Sequence, residues 1–121
     1  MTNNLEHFTH DEFDSPDRIN TGKLMNYEFL LKLDKARYIA NITFKITSGY
    51  RTVKHNKEVG GVSNSSHLHG LAADISATTS SQKFIIVNAL LKVGFTRIGI
   101  GNTFIHVDLD KTKNQNVMWT Y

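Results

Sequence analysis

The sequence has no cysteine and a single proline. Without cysteine there can be no disulfide and no thiolate metal site, so any metal must be held by imidazole and carboxylate. No basic start followed by an apolar run opens the chain, and none of its apolar runs is long enough to span a membrane. We therefore expect synthesis in the cytoplasm without a signal peptide and no membrane insertion. No basic stripe is present either. The net charge is only +3, and its lysines and arginines are scattered. That argues against nucleic acid as a partner, whereas a mild positive charge suits an anionic polymer such as a bacterial wall. There is no internal repeat and no low-complexity linker.

What is present suits one small domain, residues 1–121, with 40% hydrophobic residues to build a core. The stretch from Thr2 to Asp17 predicts a short helical turn, with Thr9 as cap, Glu12 three residues on, and Pro16 ending it. A helix is expected from Leu24 to about Tyr38, with Leu24, Tyr27, Leu31 and Tyr38 on one stripe and Leu30 and Leu33 beside it. "NITFKITS" alternates as a strand does, with Ile42, Phe44 and Ile46 facing one way. A short helix in "RTVKHNKEVGG" stops at Gly60-Gly61. "LAADIS" predicts a strand with Leu71, Ala73 and Ile75 inward and Asp74 on the other side. A helix capped by Ser80 or Ser81 runs to about Val93 and closes at Gly94. Strands at "FTRIGIG", "TFIHVDLD" and "NVMWTY" complete an α+β domain, a mainly antiparallel sheet with flanking helices.

Two stretches carry chemistry. "SSHLHGLAAD" places His67, His69, Gly70 and Asp74 close together. In "TFIHVDLD", Thr103, Ile105, Val107 and Leu109 share one face, and Phe104, His106, Asp108 and Asp110 share the other. If these two strands are neighbours, Asp74, His106 and Asp108 converge on one side of the sheet. Two imidazoles and one carboxylate make a catalytic zinc shell with a fourth position left for water. Spacing alone does not choose between His67 and His69, and a histidine beside glycine in a loop commonly binds nothing.

Ser48-Gly49-Tyr50-Arg51, then Asn56 with Val59-Gly60-Gly61, then Ser65 to Asp74, then the late strand histidine His106, together with the opening "HFTHDEF", resemble the zinc D-Ala-D-Ala carboxypeptidases. That family shares a fold with VanX-type dipeptidases, phage L-alanyl-D-glutamate endolysins and the hedgehog signalling domain. The resemblance covers nearly the whole chain. It implies Zn2+ held by His67, Asp74 and His106, and it leaves His69 on a variable position. It further implies that Arg51 binds substrate oxygen and stabilises a charged intermediate, and that Ser65 helps hold the substrate.

Relatives place an acidic base three residues before the last ligand, or a histidine two before; here Thr103 and Phe104 stand there. Asp108 is then the candidate general base, or alternatively a partner that orients His106; Asp110 and Glu58 are weaker candidates. The substrate implied is a peptidoglycan stem peptide, cut at D-Ala-D-Ala or at L-Ala-D-Glu. The expected setting is that of a monomeric phage-type lysis enzyme reaching the wall after release. A zinc-bearing or metal-free recognition module of the same fold is the alternative.

Overall fold

The computed structural model describes residues 5–121; the expected turn's first residues, Thr2–Asn4, lie outside them. Five strands form one sheet: β1 (Ile46–Ser48), β2 (Ala72–Ser76), β3 (Arg97–Ile100), β4 (Phe104–Asp108) and β5 (Val117–Thr120). Their spatial order is β1-β2-β4-β3-β5, antiparallel except for the last pair, in which β5 runs parallel to β3. Three α-helices accompany it: α1 (Tyr27–Ala40), α2 (Val53–Glu58) and α3 (Ser80–Lys92). The fold class is α+β, as the sequence pattern predicts.

The core lies between one face of the sheet and helices α1 and α3. Ile105 and Val107 of β4, Ala73 and Ile75 of β2, and Ile98 of β3 are fully or almost fully buried there. They pack with Phe29, Leu30 and Leu33 of α1 and Ile86 and Leu90 of α3. Phe44 is buried as the alternation predicts, although the strand proper begins only at Ile46.

Helix α1 departs from expectation. It starts at Tyr27, after a separate 3-10 turn at Thr21–Leu24, because Asn26 caps it by accepting a hydrogen bond from the Phe29 N–H at 2.9 Å. The buried stripe is Phe29, Leu30, Leu33 and Ala36, whereas Leu24 is 60% and Tyr38 70% exposed. Of the expected stripe, Leu24 precedes the helix and Leu31 and Tyr38 are exposed within it, so the buried face lies on the Leu30 and Leu33 side. Helix α3 is capped by Thr79 rather than Ser80 or Ser81. Thr79 Oγ1 accepts from the Gln82 N–H at 3.1 Å, and Gln82 Oε1 accepts from the Thr79 N–H at 3.2 Å. The Thr9–Glu12 pairing is present, with the Thr9 N–H donating to Glu12 Oε2 at 2.8 Å, but the segment it opens is a 3-10 turn, His10–Phe13.

The second face of the sheet is not the solvated face that alternation implies. His106, Asp108 and Asp110 are all buried. Among the described residues, no helix is long and apolar enough to cross a membrane.

Candidate metal centre and cleft

Strand register brings the first two site residues together. Asp74 of β2 is paired with His106 of β4, so their side chains rise from the same face. Asp74 Oδ1 lies 2.9 Å from His106 Nδ1 and 3.4 Å from His67 Nε2. His67 comes from a 3-10 turn, Ser66–His69, whose end is fixed by Gly70 at φ +68°. A side chain at Gly70 would collide with the backbone of Leu24 and Met25, and Gly70's carbonyl accepts from the Asn26 N–H at 2.9 Å. The turn carrying His67 is thus docked on the start of α1. One potential ligand atom from each of His67, Asp74 and His106 lies within 4.8 Å of the others.

Each imidazole is also held from behind. His67 Nδ1 lies 2.8 Å from the Gly49 carbonyl, which makes Nδ1 the donor and leaves Nε2 for a ligand role. His106 Nε2 lies 2.8 Å from Asp108 Oδ2, leaving Nδ1 toward Asp74. Two borderline nitrogens and one carboxylate, two of them with outer partners, fit zinc better than a hard, oxygen-seeking cation.

The electrostatics follow from this packing. Burial pushes the Asp74 carboxyl up, but hydrogen bonds from His106 and His67 outweigh it and hold it well below the ordinary range. Burial disfavours charge on His106, yet hydrogen bonds to Asp108 and Asp74 raise it above its ordinary value.

Arg51 is immobilised beside the three. Its Nε donates to Ser48 Oγ at 3.0 Å and its Nη1 to Asn56 Oδ1 at 3.1 Å. Asn56 in turn donates to the Val62 carbonyl at 2.9 Å. Gly61 has no Cβ because one would strike the Asn56 amide oxygen and crowd Arg51. With two edges engaged, the guanidinium turns Nη2 to within 3.6 Å of Asp74 Oδ2. The segments Ser48–Arg51 and Asn56–Gly61 therefore form one cradle for Arg51 and His67. Ser65 is buried at the same place, and its Oγ accepts from the His67 N–H at 3.2 Å.

Of the other candidates, Asp108 lines the same cleft behind His106, and the rest lie farther off. Asp108 is 2% exposed, with Oδ1 2.7 Å from Arg97 Nε and 3.2 Å from the Asp110 N–H, so both of its oxygens are engaged. Asp110 ties down its own loop, accepting from Ser66 Oγ at 2.7 Å and Thr112 Oγ1 at 2.6 Å. Glu58 is exposed at the end of α2, near His55. His69 faces a separate hollow with Asn64 and Thr112. Thr103 is exposed and lies before β4 begins.

The centre opens into a cleft of about 600 Å³, lined among others by Arg51, Val62, Ser65, Phe104, Trp119 and Tyr121. Arg97, Trp119 and Tyr121 are functional candidates that the sequence reading missed. The signal was available: Arg97, Gly99 and Gly101 alternate with Ile98 and Ile100, and Trp119 and Tyr121 are two apart at the end of the last predicted strand. Both alternations mark a second lined face.

A 54-residue stretch, 44% of this chain, is 44% identical to the zinc D-Ala-D-Ala carboxypeptidase of Streptomyces albus G, and it covers 20% of that protein's length. The matched part is thus about a fifth of that relative. A sequence model of peptidase M15 matches residues 6–108, from the segment before the first 3-10 turn through the end of β4. That span takes in the metal centre, the Arg51 cradle and most of the sheet, and on it the chain belongs to the peptidase M15 family.

Proposed function

We propose that this chain is a zinc-dependent peptidase that hydrolyses amide bonds in peptidoglycan stem peptides, of the D-Ala-D-Ala carboxypeptidase or L-Ala-D-Glu endopeptidase type. His67, Asp74 and His106 are its metal ligands and residues 1–121 its catalytic domain. The observation that carries the reading is the meeting of two imidazoles and a carboxylate at the floor of a cleft, with an immobilised arginine beside them. Family membership supports the reaction class, and likeness to the Streptomyces zinc D-Ala-D-Ala carboxypeptidase supports zinc and the D-Ala-D-Ala substrate.

When bound, zinc supplies Lewis-acid polarisation of a carbonyl and a bound water with a pKa of about 7. The chain's own residues supply the rest. Arg51 presents Nη2 as a fixed donor to the oxygen on which negative charge develops, and its orientation is already set by Ser48 and Asn56. Ser65, its oxygen taken by the His67 N–H, still has a hydroxyl proton to give to a peptide oxygen. Asp108 approaches the edge of His106 away from Asp74, which favours the orienting role over that of general base.

The rim of the cleft includes the exposed Val59 and Val62. We take the substrate to be polymeric wall rather than a free dipeptide, and the setting to be that of a phage-type lysis enzyme. The second reading, a zinc-bearing recognition module, is favoured by one observation: Thr103 and Phe104 occupy the positions where relatives carry an acid or a histidine.

Purified peptidoglycan tests both. Cleavage abolished by chelator and restored by zinc establishes the peptidase, and mass spectrometry of the new termini names the bond. Zinc binding and wall binding without new termini would establish the module instead.

A further inference from the structure

The family match ends at Asp108, but the cleft continues beyond it. Beyond Asp108 it is lined by Lys113, by Trp119 of β5 and by Tyr121, which follows β5. One row runs across four strands: Asp74 opposite His106, His106 opposite Gly99, Gly99 opposite Trp119. Such a row shares one face of a sheet. Gly99 is its only member without a side chain, and the space above it is used. A Cβ there would lie 2.6 Å from Trp119 Nε1 and 2.9 Å from the Tyr121 phenol oxygen.

Absence of that Cβ lets the indole lean inward until its ring centroid is 5.6 Å from that of His106. The Tyr121 ring packs on Phe104, centroids 5.0 Å apart, and Phe104 in turn lies over Gly101, where a Cβ would strike its ring. Two glycines thus form the floor on which three aromatic rings stack. Although Tyr121 is 67% exposed, its phenol oxygen is carried inward to the Trp119 N–H and onto the face that holds the metal centre.

We propose that Tyr121 is a substrate-contacting residue whose phenol donates a hydrogen bond to an oxygen of the bound peptide, from the β5 wall of the cleft that also holds Arg51. This rests on reading the chain as a peptidase. Arg51 and Ser65 line the same cleft from other segments, and the Tyr121 phenol adds a donor from beside β5. The phenol keeps its proton at neutral pH: burial raises its pKa, and the Asp74 and Asp108 charges add to this against the opposing Trp119 hydrogen bond.

Tyr121→Phe keeps the ring on Phe104 and removes only the hydroxyl, so the zinc-loaded variant isolates the claim. It should hold one zinc per chain and melt as the wild type does. Its kcat/KM on a stem peptide should fall roughly 10- to 100-fold, the scale of one hydrogen bond to a charged oxygen. Wild-type kcat/KM in that variant, or a loss of zinc that accounts for the fall, overturns the proposal.

Failure of the peptidase reading looks different, because the wild type itself is then silent. Trp119 is the only tryptophan, so its emission reports peptide binding without turnover. A silent wild type that binds the peptide should do so more tightly than Tyr121→Phe. Equal binding by the two, or binding by neither, overturns the proposal. Gly99→Ala, which forces the indole and the phenol off the floor, should depress kcat/KM at least as much while retaining zinc.

Discussion

Asp74 and His106 stand opposite each other on neighbouring antiparallel strands, and one Asp74 oxygen, Oδ1, lies 2.9 Å from His106 Nδ1 and 3.4 Å from His67 Nε2. This makes Asp74 the member shared by both imidazoles. Asp74→Ala and His106→Ala should each lower zinc affinity by more than the 10- to 100-fold that outer-sphere changes typically cost. His69→Ala should leave it unchanged, because His69 faces another hollow. Zinc per chain after dialysis against a weak chelator checks all three. Zinc lost from His69→Ala and kept by Asp74→Ala would reverse the ligand assignment.

Asp108 separates two roles by magnitude. As an orienting partner of His106, its replacement in Asp108→Asn should cost about 10- to 100-fold in zinc affinity, with activity restored at saturating zinc. As a general base it would cost about 10²- to 10⁴-fold in kcat at any zinc concentration. Its bonds to His106 and Arg97 lead us to expect the first result. Turnover measured across a zinc titration distinguishes them.

The sheet and its centre were legible because both rest on period-two alternation and register, which survive small errors in strand ends. Ile105 and Val107 point to the core and His106 and Asp108 away from it, as the pattern requires. The face of α1 was legible only at Leu30 and Leu33, because apolar residues also stand on its exposed side at Leu31, Tyr38 and Ile39. Burial of the polar face was also hidden. Nothing local to Asp108 or Asp110 signals Arg97 or Ser66, which arrive from distant segments. His67 and His69 could be told apart only by a resemblance, since the carbonyl that selects His67 belongs to Gly49.

Arg51 is held by Ser48 and Asn56, so the guanidinium's geometry matters as well as its charge. Arg51→Lys should keep zinc but lose roughly 10²- to 10³-fold in kcat, the usual cost of removing a donor to a developing oxyanion. Asn56→Ala frees one edge of the guanidinium and should give a smaller loss in the same direction. Steady-state kinetics with zinc analysis on each variant checks this. An Arg51→Lys enzyme with wild-type kcat would remove Arg51 from the chemistry.

The charges around His106 predict how zinc and pH trade against each other. Burial alone would lower the pKa of His106, but Asp108 and Asp74 raise it above 6.5. Its contribution to the stability of the metal-free chain is complete below that value and fades as pH rises through the raised one. Asp108 behaves oppositely. Burial raises it, yet His106 and Arg97 bring it below 3.8, so its contribution is present above 3.8 and lost as pH falls. The chelated protein should therefore be most stable between roughly pH 4 and 6.5. Zinc binding needs the His106 ligand nitrogen without its proton, so metal and proton compete at that atom. The gain in Tm on adding zinc should grow between about pH 5 and about pH 8. Thermal melts with chelator and with zinc across that range measure the difference directly. A zinc-dependent gain that stays flat with pH would mean that His106 does not give up a proton to the metal, and would remove it from the ligand set.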